Sequence, residues 1–198
     1  MNLPNKLSLL RVIMVPLFVA VLVLPTEAFY STYETWIRII AAAVFILTAL
    51  TDMLDGQIAR RCNLVTDFGK FIDPLADKFM VFGAMLGILY RFDYLRPVFI
   101  WAALVVIFRE LAITSMRLIV ANKSGKVVAA AWLGKVKTVT QVICIVVVLL
   151  EPVIIPEGNF VRDYYLLSYI TTAAMTVMTL WSGIDYMKAY WPLMDPNK

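Results

Sequence analysis

Histidine is missing altogether from this chain of 198 residues, and that absence narrows the chemistry at once. Ser-His-Asp hydrolysis, phosphoryl transfer through histidine and histidine-ligated zinc all fall away. Cysteine is nearly as scarce. Its two copies, Cys62 in a charged loop and Cys144 in an apolar run, make no disulfide framework. Charge is thin too: 16% of residues are Asp, Glu, Lys or Arg, against about 25% in an average soluble domain. The net charge of +4 is modest and does not suggest nucleic acid as a partner.

Apolar residues fill the space. They make up 62% of the chain, the mean hydropathy is +0.81, and they cluster in long runs. That pattern predicts an integral membrane protein. A spanning helix needs about 20 mostly apolar residues. Six stretches qualify or nearly do: Leu7–Leu24, Trp36–Asp55, Phe71–Tyr90, Pro97–Val120, Val127–Leu150 and Tyr164–Tyr186. The runs are continuous rather than alternating, which excludes barrel strands. The expected fold is all-α, a polytopic bundle of six transmembrane helices forming a single domain over residues 1–198. The opening MNLPNKLSLLRVIMVPLFVAVLVLP has the charge and apolar core of a signal peptide. It lacks a small-residue cleavage site, so an uncleaved first span is expected.

Basic residues set the expected orientation. Lys6 and Arg11 open the first span, and Arg60, Arg61 and Lys70 lie between spans two and three. Arg117, Lys123, Lys126, Lys135 and Lys137 surround the connection between spans four and five. The opposite connections hold Arg38, Arg91, Arg96 and Arg162, mixed with acidic residues. The positive-inside rule then places both termini and the two basic connections in the cytoplasm of a plasma-membrane protein. Tyr and Trp near the segment ends, among them Tyr30, Trp36, Tyr90, Trp101, Tyr186 and Tyr190, are expected to form interfacial belts.

Against this background one stretch is anomalous: LTALTDMLDGQIARRCNLVTDFGKFIDPLADKF, residues 47–79. Asp52 and Asp55 are three residues apart at the end of one span; Asp73 and Asp77 are four apart near the start of the next. Both spacings put the pair on one helix face, and antiparallel spans would bring the two pairs to one depth. An Asp at the centre of a span costs about 2.5 to 3.5 kcal/mol, and four like charges add repulsion. A divalent cation removes both problems. Oxygen ligands without histidine or thiolate select a hard ion, Mg²⁺ or Mn²⁺. Gly56, Ala59 and Gly69 flank the carboxylates and suit either a ligand cleft or close helix packing. Arg60 is either a phosphate partner or a helix cap. Pro74 either begins a helical turn or kinks the span.

Together these residues read Asp52-x2-Asp55-Gly56-x2-Ala59-Arg60-x8-Gly69-x3-Asp73-x3-Asp77. The pattern resembles the signature of the CDP-alcohol phosphotransferase family and matches each of its eight defining positions. The segments NLPNKLSLLR, RELAITSMRL, AAAWLGKVKT and SGIDYMK are similar to the branch whose acceptor is sn-glycerol 3-phosphate. Ser8 departs slightly, where related sequences commonly have threonine, and it keeps the hydroxyl.

The resemblance implies an enzyme that passes the phosphatidyl group of CDP-diacylglycerol to sn-glycerol 3-phosphate and releases CMP. It implies two divalent ions on Asp52, Asp55, Asp73 and Asp77, with Asp77 also the base for the acceptor hydroxyl. Gly56, Ala59, Arg60 and Gly69 would take the CDP moiety, with Asn5 and Ser8 as further nucleotide contacts. The acceptor phosphate is expected at Arg109 and Arg117, two turns apart on one face of span four, and at Lys135 and Lys137. A mid-span arginine is costly and therefore a functional candidate. The alternative for Arg109 is a buried pair with Glu110 or another helix, and for the lysines plain topology signalling. A homodimer follows from the resemblance alone. Other acceptors (serine, inositol phosphate, phosphatidylglycerol) remain open. So does a divalent-cation carrier, which would want polar residues continuing across the membrane.

Overall fold

A lipid-facing chain must satisfy its main-chain polar groups internally, and helices do so locally. The computed structural model describes residues 3–61, 66–124 and 132–191; the side chains of 3–4, 52–61, 67, 70 and 121–124 lie outside the description. Seven helices follow in order: α1 (Leu3–Val23), α2 (Glu27–Arg61), α3 (Asp67–Arg91), α4 (Arg96–Ser124), α5 (Trp132–Ile154), α6 (Phe160–Asp163) and α7 (Leu166–Tyr190). The described residues contain no strand, in line with the all-α expectation. Six helices coincide with the six apolar stretches. The seventh, α6, is a single turn capped by Asn159, whose side chain accepts from the Val161 amide at 2.9 Å.

Among the described residues, length and composition alone qualify four of them to cross a membrane: Asn5–Val23, Glu27–Thr51, Arg96–Val120 and Trp132–Ile154. With 25 residues each, α3 and α7 match these in length. Polar residues dilute them: Asp73, Asp77 and Lys78 in α3, and a buried stripe of Ser168, Thr172, Thr179 and Ser182 in α7. Span two also begins nine residues earlier than its apolar stretch. Ser31 and Thr32 donate back to the Ala28 carbonyl, so the polar turn stays helical until α2 bends at Tyr33 (φ −119°, ψ 22°). Pro74 lies inside α3, whose helical backbone continues through it.

The core is layered by helix pairs. α1 packs on α2 and α3, α5 on α2 and α7, and α4 on α7. Two glycines set how closely α1 approaches α3. A Cβ on Gly83 would stand 2.4 Å from Val15, and one on Gly87 would stand 3.0 Å from Leu22. This small-x3-small spacing lets the helices touch along their backbones. The buried stripe of α1 therefore runs Ser8, Arg11, Val15, Phe18, Leu22, polar toward residue 8 and apolar toward residue 22. The two helices run parallel, with Ser8 level with Asp73 and Leu22 level with Gly87.

The aromatic belt is only partly as expected. Trp36, Tyr90 and Trp101 are exposed, but Tyr30, Tyr186 and Tyr190 turn inward. Each finds an arginine or an aromatic ring there: Arg91 over Tyr30, Arg109 and Arg117 over Tyr186, and Tyr186 beside Tyr190. An amphipathic ring can answer an interior cation as well as a headgroup layer.

Candidate functional site

Thr66 starts α3 by accepting the Gly69 amide at 3.0 Å, an N-cap that fixes the entry angle of the helix. Asp73 and Asp77 follow on one face, half-exposed, with 44% and 50% of their side-chain surface open. α1 lies against that face. The Asn5 amide donates to Thr66 Oγ1 at 2.9 Å, the Ser8 hydroxyl donates to Asp73 Oδ1, and the Arg11 guanidinium donates to Asp77 Oδ1. Asn5, Ser8 and Arg11, expected to touch nucleotide or merely signal topology, thus form a three-residue ladder clamping the start of α3.

Gly69 belongs to the same contact. A Cβ there would meet Asn5 Oδ1 at 2.9 Å, so close helix packing accounts for this glycine among the described side chains. Asp52, Asp55, Gly56, Ala59 and Arg60 occupy the last turns of α2, and their side chains lie outside the described residues. Among the described residues, no three acidic, histidine or cysteine side chains gather as a metal site. The two that are described fit a hard cation by chemistry. Their donors are all carboxylate oxygen, they share one helix face, and Asp77 already answers a buried cation in Arg11.

The second half of the site is basic and lies between α4, α5 and α7. Arg109, with 10% of its side chain exposed, donates to Glu110 Oε1 at 3.1 Å and to Ser182 Oγ at 2.6 Å. Lys137 reaches the same Glu110 oxygen from α5. Arg117 donates to Tyr186 Oη at 2.6 Å and lies 4.9 Å above that ring, while Arg109 lies 5.2 Å from it. Arg109 and Arg117 therefore share a face, as their spacing predicts, and Tyr186 separates their charges. Two glycines make room: a Cβ on Gly183 would stand 3.2 Å from Arg109 Cγ, and one on Gly134 3.2 Å from Tyr186 Oη.

Lys135 is not brought into this cluster. It is exposed on α5, whereas Lys137 is buried, since residues two apart on a helix face different ways. The paired alternative foreseen for Arg109 is present, with Ser182 added. Sequence reasoning missed Arg11, Glu110, Ser182 and Tyr186 as site residues. Ser182 and Tyr186, four apart in the quoted segment SGIDYMK, were the available signal. α3, which carries Asp73 and Asp77, also packs against α4 and α5, which carry Arg109, Arg117 and Lys137.

A carboxylate face able to hold cations, together with a basic cluster in which Lys137 is buried and Arg117 exposed, suits a substrate with several phosphates and a second, anionic reactant. Comparisons with known proteins agree. The family model described as CDP-alcohol phosphatidyltransferase matches residues 1–182. A Bacillus subtilis protein named CDP-diacylglycerol–glycerol-3-phosphate 3-phosphatidyltransferase is 43% identical over 156 residues, covering 76% of this chain and 77% of the relative. A protein of that name from Shigella flexneri serotype 5b is 37% identical over 192 residues, covering 95% and 94%. A probable phosphatidylglycerophosphate synthase of Mycobacterium tuberculosis is 33% identical over 191 residues, covering 94% and 80%.

Proposed function

The chain belongs to the CDP-alcohol phosphatidyltransferase family, and from that premise we propose that it joins CDP-diacylglycerol to sn-glycerol 3-phosphate. The products are phosphatidylglycerophosphate and CMP. The observation that carries the choice of acceptor is the gathering of Arg109 and Arg117 at Tyr186, with Lys137 joined to Arg109 through Glu110. Cations with hydroxyl and carboxylate partners, Lys137 buried and Arg117 exposed, can exchange them for a phosphate dianion.

In the reaction an acceptor hydroxyl oxygen forms a bond to the phosphorus bearing diacylglycerol, and the bond from that phosphorus to CMP breaks. Arg109, Arg117 and Lys137 hold the acceptor by its phosphate, which leaves the hydroxyl at the other end of the glycerol to point toward α3. Asp77 receives the hydroxyl proton. Asp52, Asp55, Asp73 and Asp77 would hold two divalent ions, Mg²⁺ or Mn²⁺, whose charge would neutralise the pyrophosphate and the leaving CMP. Gly56, Ala59 and Arg60 border the space for the CDP moiety. Lys135, exposed at the start of α5, meets the acceptor on its way in.

A cation-carrier reading gains nothing from the polar stripe of α7. Thr172 and Thr176 donate to carbonyls of their own helix, and Cys144, Ile145, Val148 and Leu149 close the α5 side completely. The chain is a multi-pass membrane protein; we place its site and termini in the cytoplasm and expect a homodimer.

Purified protein supplied with labelled CDP-diacylglycerol and a panel of acceptors tests the activity. Glycerol 3-phosphate should release CMP fastest, EDTA should stop it, and Mg²⁺ or Mn²⁺ should restore it. Equal turnover with serine or inositol phosphate would overturn the acceptor assignment. A cysteine at Glu157 should react with an impermeant reagent in intact cells; protection there would invert the orientation.

A further inference from the structure

Arg11 has no exposed surface at all, although it lies one helical turn from Leu7 near the end of α1 expected at the cytoplasmic face. An arginine serving only to mark the cytoplasmic side needs no such burial, because its long stem can carry the charge to the interface. Burying a guanidinium costs several kcal/mol unless anions and hydrogen bonds meet it. They do. Nη1 bonds Asp77 Oδ1, Nη2 lies 3.9 Å from Asp73 Oδ1, and Nη2 also reaches Ser8 Oγ at 3.5 Å. The Ser8 hydroxyl in turn donates to Asp73 Oδ1. One guanidinium thus addresses both carboxylates of α3, directly and through a hydroxyl.

Packing sets its depth. Val15, one turn beyond Arg11, sits on Gly83, and Leu22 sits on Gly87, so α1 cannot slide along α3 without a collision. The contacts to Asp73 fall on Oδ1, while its Oδ2 lies on the Gly69 side. Two carboxylates four residues apart on one helix repel each other, and without a bridge their side chains would turn apart.

We infer that Arg11 is a positioning residue of the carboxylate centre, its fork holding Asp73 and Asp77 in the one arrangement that receives divalent cations. α1 is then a wall of the site as well as a membrane anchor. The inference rests on the metal-dependent reading above. It differs from charge balance in one respect: a lysine keeps the charge but lacks the rigid planar fork that sets one nitrogen toward Asp77 and the other toward Asp73.

The test is direct Mn²⁺ binding to the purified full chain, followed by the paramagnetic signal of free Mn²⁺, on wild type, Arg11→Lys and Ser8→Ala. Arg11→Lys should bind Mn²⁺ at least tenfold more weakly and lose at least tenfold in kcat, with KM for both substrates within threefold. Its melting temperature without metal should stay close to that of wild type. Ser8→Ala, which removes the relay but no charge, should weaken Mn²⁺ two- to fivefold, and it carries the test if the Arg11 variant does not fold. Wild-type Mn²⁺ affinity in both variants would overturn the positioning role. Tighter binding in Arg11→Lys would show that Arg11 competes with the ions, and would equally overturn it. Absence of Mn²⁺ binding by the wild type would instead remove the metal reading itself, and this inference with it.

Discussion

The arginines at the two ends of the bundle keep different company. Away from the site each arginine pairs a carboxylate (Glu34, Glu27, Asp93 and Glu157 for Arg38, Arg91, Arg96 and Arg162) and also donates to main-chain carbonyls: Arg38 to Val148, Arg91 to Leu22 and Pro25, Arg96 to Leu89 and Tyr90, and Arg162 to Ile155. At the site, Arg11 bonds Asp77, Arg109 bonds Glu110 and Ser182, and Arg117 bonds Tyr186. A main-chain carbonyl near a helix end is a fixed acceptor, and capping it stabilises the fold. A side-chain acceptor can rotate away when a better anion arrives. Burial does not separate the two groups: Arg38 and Arg11 are both fully or nearly buried.

The largest effects should come from the carboxylates these site cations face. Asp73→Asn and Asp77→Asn are expected to lower kcat about a hundredfold or more, the scale of losing one preorganised electrostatic group, in protein that still inserts and purifies. Near-normal turnover in either variant, measured as CMP release, would detach the α3 face from the chemistry.

Next come the basic residues. Arg109→Ala and Lys137→Ala should each raise KM for glycerol 3-phosphate at least tenfold, about 1.4 kcal/mol. KM for CDP-diacylglycerol should move little. Lys135→Ala should change either KM less than threefold, since its side chain is exposed where that of Lys137 is buried. Equal effects at Lys135 and Lys137 would erase the distinction between inward and outward faces of α5.

The carbonyl-bound arginines should show the smallest effect on turnover. Arg91→Ala removes two bonds to carbonyls around the end of α1 and should cost about 2–3 kcal/mol of stability. Its kcat per folded molecule should match wild type within twofold. Glu151→Ala should behave alike, because Glu151 accepts the Leu167 and Ser168 amides at 2.9 and 2.8 Å and so caps α7. A selective loss of kcat in either variant would mean that the two ends are coupled.

Local physics made much of this legible in the sequence. Continuous apolar runs dictate helices because lipid offers the backbone no other partner, and α1 to α5 and α7 lie where those runs lie. The three- and four-residue spacing of the aspartates, and the eight-residue spacing of Arg109 and Arg117, fix which residues share a face whatever the packing. Partner choice is another matter. Arg11 meets Asp77 across 66 residues, Arg117 meets Tyr186 across 69, and Lys137 meets Glu110 across 27. Nothing along the chain distinguishes Lys137 from Lys135, or the inward Tyr186 from the exposed Tyr90. Those choices depend on how far each helix is rotated and how deep it sits. Contacts such as Val15 on Gly83 and Arg109 beside Gly183 set both, and they exist only once the helices have packed.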